Sequence, residues 1–202
     1  MPIVLVLSSA EPAQSLSVKT SSTLVLPMST FSFVAMSQFA PISVRGEAFW
    51  LDKKRAAQLR PRSRPRYTIS PSLVLKDGKP FLVIGTPGGD NQEQTILQTL
   101  LDILEFWPDW YPNLHEAFEY PRVQTAHFYA TVWPHGGGFN KLNVESNIPD
   151  DVINTLRARG HDVTKVAPFS LVSCATAVII DPGTGNRIAG ADPRRDCYAA
   201  AY

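Results

Sequence analysis

The pair Asp77-Gly78, set between Ser72-Leu73-Val74-Leu75 and Pro80-Phe81-Leu82-Val83-Ile84, constrains this chain more than any other stretch. Asp-Gly accepts positive φ at both centres of a tight turn, so the flanking apolar runs read as two antiparallel strands of a hairpin. The second run stops at Gly85-Thr86-Pro87-Gly88-Gly89-Asp90, and a helix is expected from about Asn91 to Phe106. There Ile96, Leu97, Leu100, Leu101 and Leu104 recur at helical spacing, and Pro108 ends the pattern. Strand, glycine turn and helix thus follow one another within about 35 residues.

The remainder continues in short elements. Asn113 is placed to cap a helix over Leu114–Tyr120, ended by Pro121, and Pro149 opens a helix through Arg159 with Gly160 as its C-cap. Residues 141–144, 161–166, 172–180 and 187–191 read as strands, the last two joined by the turn Asp181-Pro182-Gly183-Thr184-Gly185. The expected class is α+β, with strands paired locally in a largely antiparallel sheet. Seventeen prolines in 202 residues exclude a long coiled coil, and 44% hydrophobic with 18% charged residues exclude a disordered chain.

A net charge of +1 provides no global field for nucleic acid or anionic lipid, so neither is expected as a partner. Ile3-Val4-Leu5-Val6-Leu7 is far below the roughly 18 apolar residues of a membrane span, and no basic residue precedes it as in a signal peptide. It reads as a strand-forming or frayed beginning. Lys53, Lys54, Arg55, Arg60, Arg62, Arg64 and Arg66 face only Asp52 within residues 51–66, and Pro61 and Pro65 make this run an extended, solvated loop. Cys174 and Cys197 are too few for a disulfide scaffold and read as two free, buried thiols. His115, His127, His135 and His161 lack metal-ligand spacing, and no phosphate loop or complete G-x-G-x-x-G is present, so no metal or cofactor is expected. His135-Gly136-Gly137-Gly138 looks like a lipase oxyanion loop, but that chemistry needs a G-x-S-x-G elbow, which is absent.

The turn before the helix carries the chemistry. Two adjacent glycines there expose backbone N–H groups at a helix N-terminus, where the macrodipole favours negative charge. Such a place suits a tetrahedral oxyanion. Taken with its neighbours the turn becomes specific. The string Arg64-Pro65-Arg66-Tyr67-Thr68-Ile69-Ser70-Pro71-Ser72, the hairpin through Pro80, and Gly85-Thr86-Pro87-Gly88-Gly89-Asp90 together resemble the γ-glutamyltransferase (γ-glutamyltranspeptidase, glutathione hydrolase) family. Arg157-Ala158-Arg159-Gly160-His161-Asp162-Val163, and Ala191-Asp192-Pro193-Arg194-Arg195 with residues 199–202, resemble that family's later segments in the same order. The resemblance covers about residues 42–202 and leaves residues 1–41 unassigned.

The resemblance implies an N-terminal-nucleophile hydrolase fold, an αββα sandwich of which this chain is an incomplete, C-terminal, small-subunit part. In that family a self-cut precursor exposes an N-terminal threonine that attacks a γ-glutamyl amide, and the acyl group passes to water or an amine. By motif position, Gly88 and Gly89 match the glycine pair of the oxyanion hole, and Tyr67 and Thr68 stand where two serines hold the donor's α-carboxylate. Val44-Arg45-Gly46-Glu47-Ala48-Phe49 aligns with the stretch that contacts the donor's α-amino group. Arg45 replaces an uncharged polar residue there, and Ala48 falls where an acid belongs. The implied substrate is a γ-glutamyl or related acyl amide, in a divergent branch resembling cephalosporin acylases. Thr20, Thr23 and Thr30 do not begin the family's nucleophile motif, so the nucleophile and the large-subunit half are expected from elsewhere. The competing reading is a non-catalytic remnant serving as a binding or assembly module.

Overall fold

A computed structural model describes residues 3–7, 48–63, 66, 68–106 and 114–201, the first of these as backbone only. The chain divides into two compact units. The larger comprises residues 1–10, 68–129 and 137–202, and the smaller residues 11–67 and 130–136.

In the larger unit, β1 (Ile3–Leu7), β2 (Ser72–Lys76), β3 (Lys79–Gly85), β7 (Thr176–Ile180) and β8 (Arg187–Ala191) form a five-stranded sheet in the order β1-β2-β3-β7-β8. Every neighbouring pair is antiparallel. The expected hairpin is present. Lys76 pairs with Lys79, and Asp77 and Gly78 take φ of 53° and 76°. Both are positive, as a two-residue turn matching the strand twist requires. The register slips between Val74 and Leu75, next to Pro80, which has no amide to give the ladder.

Alternation sends Val74, Leu82, Ile84, Ala177 and Ile179 to one face of this sheet. That face packs on two helices. The first, α1 (Gln92–Leu101), is entered through a 3-10 turn over Gly89–Asn91 and prolonged by a π-helical turn over Asp102–Phe106. The second is α2 (Leu114–Glu119). Ile96, Leu100, Ile103, Leu114, Ala117 and Phe118 complete the core. Contact between α2 and β8 is close enough that a Cβ at Gly190 would lie 2.6 Å from Phe118 and 2.8 Å from Leu114. Both side chains are fully buried and have nowhere to move. Gly190→Ala should therefore cost about 1–2 kcal/mol through overpacking, read as a lower midpoint in thermal unfolding. An unchanged midpoint would contradict that packing.

The second sheet adds one parallel pair to the largely antiparallel pairing expected. Here β4 (Val123–Thr125) runs antiparallel to β5 (Lys141–Glu145), but β5 and β6 (Asp162–Val166) are parallel. Two parallel strands need a crossover, and α3 (Asp150–Ala158) supplies it, with Asp150 and Asp151 in its first turn and Gly160 at φ 94° after its end. Ile153 is buried against Leu142 and Val144. The free edge of β4 is closed by side chains of α1. Gln94 accepts from Thr125 N at 2.8 Å and donates to Thr125 O at 3.2 Å. Gln98 does the same with Val123 at 3.0 and 2.9 Å. Two glutamines thus replace a neighbouring strand and satisfy backbone groups that burial would orphan.

Two further expectations change. Of residues 172–180 only Thr176–Ile180 is strand, because Ser173 sits at φ 147°, outside any ladder conformation. Cys174 and Cys197 are not free thiols but a disulfide, with Cα atoms 6.6 Å apart. The backbone brings them together: Asp192 N donates to Ala175 O at 2.9 Å, folding the segment after β8 back beside residue 174.

In the smaller unit, the described part of the basic segment is a series of turns, as expected of a loop. A bridge between Trp50 and Gln58 closes it, with Arg55 over the Trp50 ring at 4.5 Å. His135 is buried there, stacked on Trp50 at 4.1 Å, its Nδ1 2.9 Å from Ala130 O and its Nε2 3.2 Å from Phe49 O. It is a structural histidine. Among the described residues no helix is long and apolar enough to cross a membrane.

Candidate active site

The strand-to-helix passage lies in the larger unit, where β3 ends at Gly85 and the 3-10 turn begins at Gly89. Gly88 has φ 133° and ψ 12°, and Gly89 has φ 57°. Only glycine accepts the first of these readily, which is why the sequence places a doublet here. The turn is closed by Asn91 N donating to Gly88 O at 3.1 Å, and by the Thr86 hydroxyl donating to Pro87 O at 2.8 Å. Neither the Gly88 nor the Gly89 amide donates to an acceptor among the described residues. Nothing lies within 4 Å of the position a Cβ would take on Gly89. Two N–H groups with no acceptor among the described residues, open space beside Gly89 and the N-terminus of a helical run of 18 residues make a place that favours a negatively charged oxygen.

Thr68 belongs to the same unit and is half-buried. The register pairs Ser72 with Ile84, so the residues before β2 run beside the point where β3 hands over to the glycine turn. Ser70 confirms that course, its hydroxyl donating to Glu93 in the first turn of α1 at 3.0 Å. Ser70, Gly88 and Gly89 therefore share one end of the hairpin, and Thr68 precedes Ser70 by two residues. Tyr67 and Arg45 lie outside the described residues. Ala48 is buried in the smaller unit, and its methyl group has no charge to offer.

Sequence reasoning passed over two neighbouring features. Ser173 is 3% exposed, and its hydroxyl has no hydrogen-bond partner. A Cβ on Gly88 would come 2.3 Å from that oxygen. An isolated serine between apolar residues carries no local signal. The other feature is a set of buried charges at the start of the Asp192-Pro193-Arg194 motif. Arg194 grips Glu145 with Nε at 2.8 Å and Nη2 at 2.6 Å, and donates to Asp192 at 3.1 Å. It also donates to the carbonyls of Phe118 at 2.7 Å and Tyr120 at 2.8 Å. Arg122 pairs with the other oxygen of Asp192 and donates its backbone N–H to Glu145 at 3.1 Å. Burial opposes the charge on Arg194, but the Glu145 hydrogen bonds and the Asp192 charge outweigh it and hold its pKa above the usual value. Burial lowers the pKa of Arg122 in spite of Asp192. Asp102, where the π-helical turn begins, is pushed up to about 6 by burial, against the pull of Arg122 and Arg194. No His, Cys, Asp and Glu cluster among the described residues could hold a metal ion.

An antiparallel sheet backed by helices, with a glycine turn where strand passes to helix, is an α+β arrangement of the N-terminal-nucleophile hydrolase type. The chain belongs to the Gamma-glutamyltranspeptidase family, whose model matches residues 22–202. It is 33% identical over 153 residues to the glutathione hydrolase-like YwrD proenzyme of Bacillus subtilis, which covers 75% of this chain and 27% of the relative. The structure of LmbA2991HD resembles it with a TM-score of 0.70 at 34% identity, over 79% of this chain and 28% of that one. The cephalosporin acylase from Bacillus halodurans gives a TM-score of 0.61 at 29% identity, over 78% of this chain and 27% of the other. The chain thus spans between a quarter and a third of the length of these three proteins.

Proposed function

We propose that this chain forms the oxyanion-hole and acyl-pocket part of an amide hydrolase or acyl transferase of the γ-glutamyltransferase type. The carrying observation is the Gly88-Gly89 doublet, both residues at positive φ and with neither amide donating to an acceptor among the described residues. As a threonine oxygen attacks an amide carbon, the carbonyl oxygen gains negative charge, and these two N–H groups meet it without reorganising. One such donor contributes roughly 3 kcal/mol to the barrier. Thr68, and Tyr67 before it, orient the acyl chain. The nucleophilic threonine is not Thr20, Thr23 or Thr30 and comes from a separate segment, together with the remaining pocket walls. A non-catalytic remnant does not call for two adjacent glycines at positive φ whose amides meet no acceptor among the described residues, which favours the enzyme reading.

By motif position in the family, Ala48 stands where the partner of the donor's α-amino group belongs. With no carboxylate at that position, an α-ammonium on the donor loses a charge-assisted hydrogen bond, about 1.5–3 kcal/mol. The acyl group that fits is a γ-glutamyl group without its α-amino substituent, namely a glutaryl-type chain. The test fuses residues 42–202 behind the preceding three quarters of the Bacillus subtilis relative and compares glutaryl and γ-glutamyl p-nitroanilides. The expected result is turnover with kcat/KM at least about tenfold higher for the glutaryl substrate. A folded fusion that hydrolyses neither anilide overturns the proposal. Turnover by the 202-residue chain alone overturns the assignment of the nucleophile to another segment.

A further inference from the structure

Ser173 combines two unfavourable features that a merely structural serine avoids. Its φ of 147° is a region that L-residues rarely enter. Its hydroxyl is buried and makes no hydrogen bond, a state that buried polar groups seldom tolerate. The residue is held there from its C-terminal side. Cys174 is tied to Cys197, and Ala175 exchanges hydrogen bonds with Asp192, its N–H donating to Oδ2 at 3.3 Å and its carbonyl accepting at 2.9 Å. Asp192 is in turn fixed by Arg122 and Arg194. A residue over-determined in this way keeps its strain in the resting protein, and strain of that kind gathers at functional sites.

What the hydroxyl faces is the glycine turn. Its oxygen occupies the space in which Gly88 would carry a Cβ. It is thus the side-chain donor placed against the residue whose free amide opens the oxyanion site. We propose that the Ser173 hydroxyl is a third donor of that site, donating a hydrogen bond to the acyl oxygen as the acyl carbon becomes tetrahedral and this oxygen negative beside the Gly88 and Gly89 amides. The inference rests on the proposed oxyanion role of the glycine doublet. A donor without an acceptor in the resting state and with one in the transition state acts differentially, as catalysis requires. It also explains why position 88 excludes any side chain: a methyl group there would displace the hydroxyl. No bond to Ser173 is made or broken. The proton stays on Ser173, and only its hydrogen bond to the oxyanion forms and is lost as the acyl carbonyl re-forms.

The test uses the 202-residue chain with glutarate, whose carboxylate presents an anionic oxygen at the acyl position, followed by the backbone amide resonances of Gly88 and Gly89. Glutarate is expected to shift both, and Ser173→Ala is expected to weaken binding about tenfold. The same variant should unfold at the wild-type temperature or above it, because removing an unpartnered buried hydroxyl loses no hydrogen bond. Ser173→Gly, free of the φ restriction, should lose affinity equally. Glutarate binding that Ser173→Ala and Ser173→Gly leave unchanged overturns the inference while the glycine-doublet reading stands. A clear loss of thermal stability in Ser173→Ala overturns it too, since the hydroxyl would then serve the fold. Wild-type Gly88 and Gly89 resonances that ignore glutarate overturn the underlying reading itself.

Discussion

Arg194→Leu should destabilise the chain by about 3–5 kcal/mol, the range found when one partner of a buried ion pair is removed. The reason lies in what is left behind. Glu145 is fully buried and loses both of its Arg194 hydrogen bonds, and Asp192 keeps only Arg122 as a charged partner. The carbonyls of Phe118 and Tyr120 lose a donor as well. At about 2–4 °C per kcal/mol for a chain of this size, the thermal midpoint should fall by roughly 10 °C. Arg194→Lys should recover little, because a single ammonium cannot reproduce the planar fork that grips Glu145 through two nitrogens. The exposed pair Lys165–Asp150, 2.7 Å apart but largely in water, is the internal control, and Lys165→Ala should barely move the midpoint. Chemical denaturation of the three variants decides the matter. An Arg194→Leu midpoint equal to that of Lys165→Ala would show that the buried network contributes nothing. Because Asp192 also fixes Ala175, loosening Arg194 should disturb the Ser173–Gly88 contact from a distance.

What could be read from the sequence was what local chemistry decides. Asp77-Gly78 fixed the hairpin, because only a turn of that conformation fits between two short apolar runs. The spacing of Ile96, Leu100 and Leu104 gave α1, and the run Pro-Gly-Gly before it gave the oxyanion candidate. Non-local pairing was out of reach. That β3 pairs with β7, about a hundred residues away, and that β5 and β6 run parallel across α3, depends on which faces need covering. The three-residue strand β4 escaped notice because Val123 and Thr125 are held by Gln98 and Gln94, whose amides stand in for a strand. The disulfide was missed because Cys174 and Cys197 meet only through the fold-back at Asp192. Asp192-Pro193-Arg194 drew attention as a motif, but nothing in it revealed that Glu145, 49 residues earlier, would receive the guanidinium. Ser173 carried no signal at all, since its significance lies wholly in what its hydroxyl touches.

Asp102→Asn should stabilise the chain above neutral pH and do nothing in mild acid. The carboxyl is buried at the start of the π-helical turn, and the folded protein raises its pKa from the ordinary 3.8 to about 6. Burial is the leading cause, and the attraction of Arg122 and Arg194 only partly offsets it. The native state therefore binds a proton at pH values where the unfolded chain has already released it. Stability contributed by this group is complete below about pH 4, falls as pH rises toward about 6, and stays low beyond that. A change of roughly two pKa steps corresponds to about 3 kcal/mol. Asparagine keeps the shape and removes the charge, so the variant should follow the wild type at pH 4 and exceed it by about 3 kcal/mol at pH 7.5. The charge count gives the reason. Arg122 and Arg194 together balance two carboxylates, Asp192 and Glu145 hold the hydrogen bonds to them, and Asp102 is the third. Urea unfolding at a series of pH values tests the point. Curves for wild type and variant that stay parallel from pH 4 to pH 7.5 would mean that Asp102 is ionised at no cost, and that the two arginines neutralise all three acids.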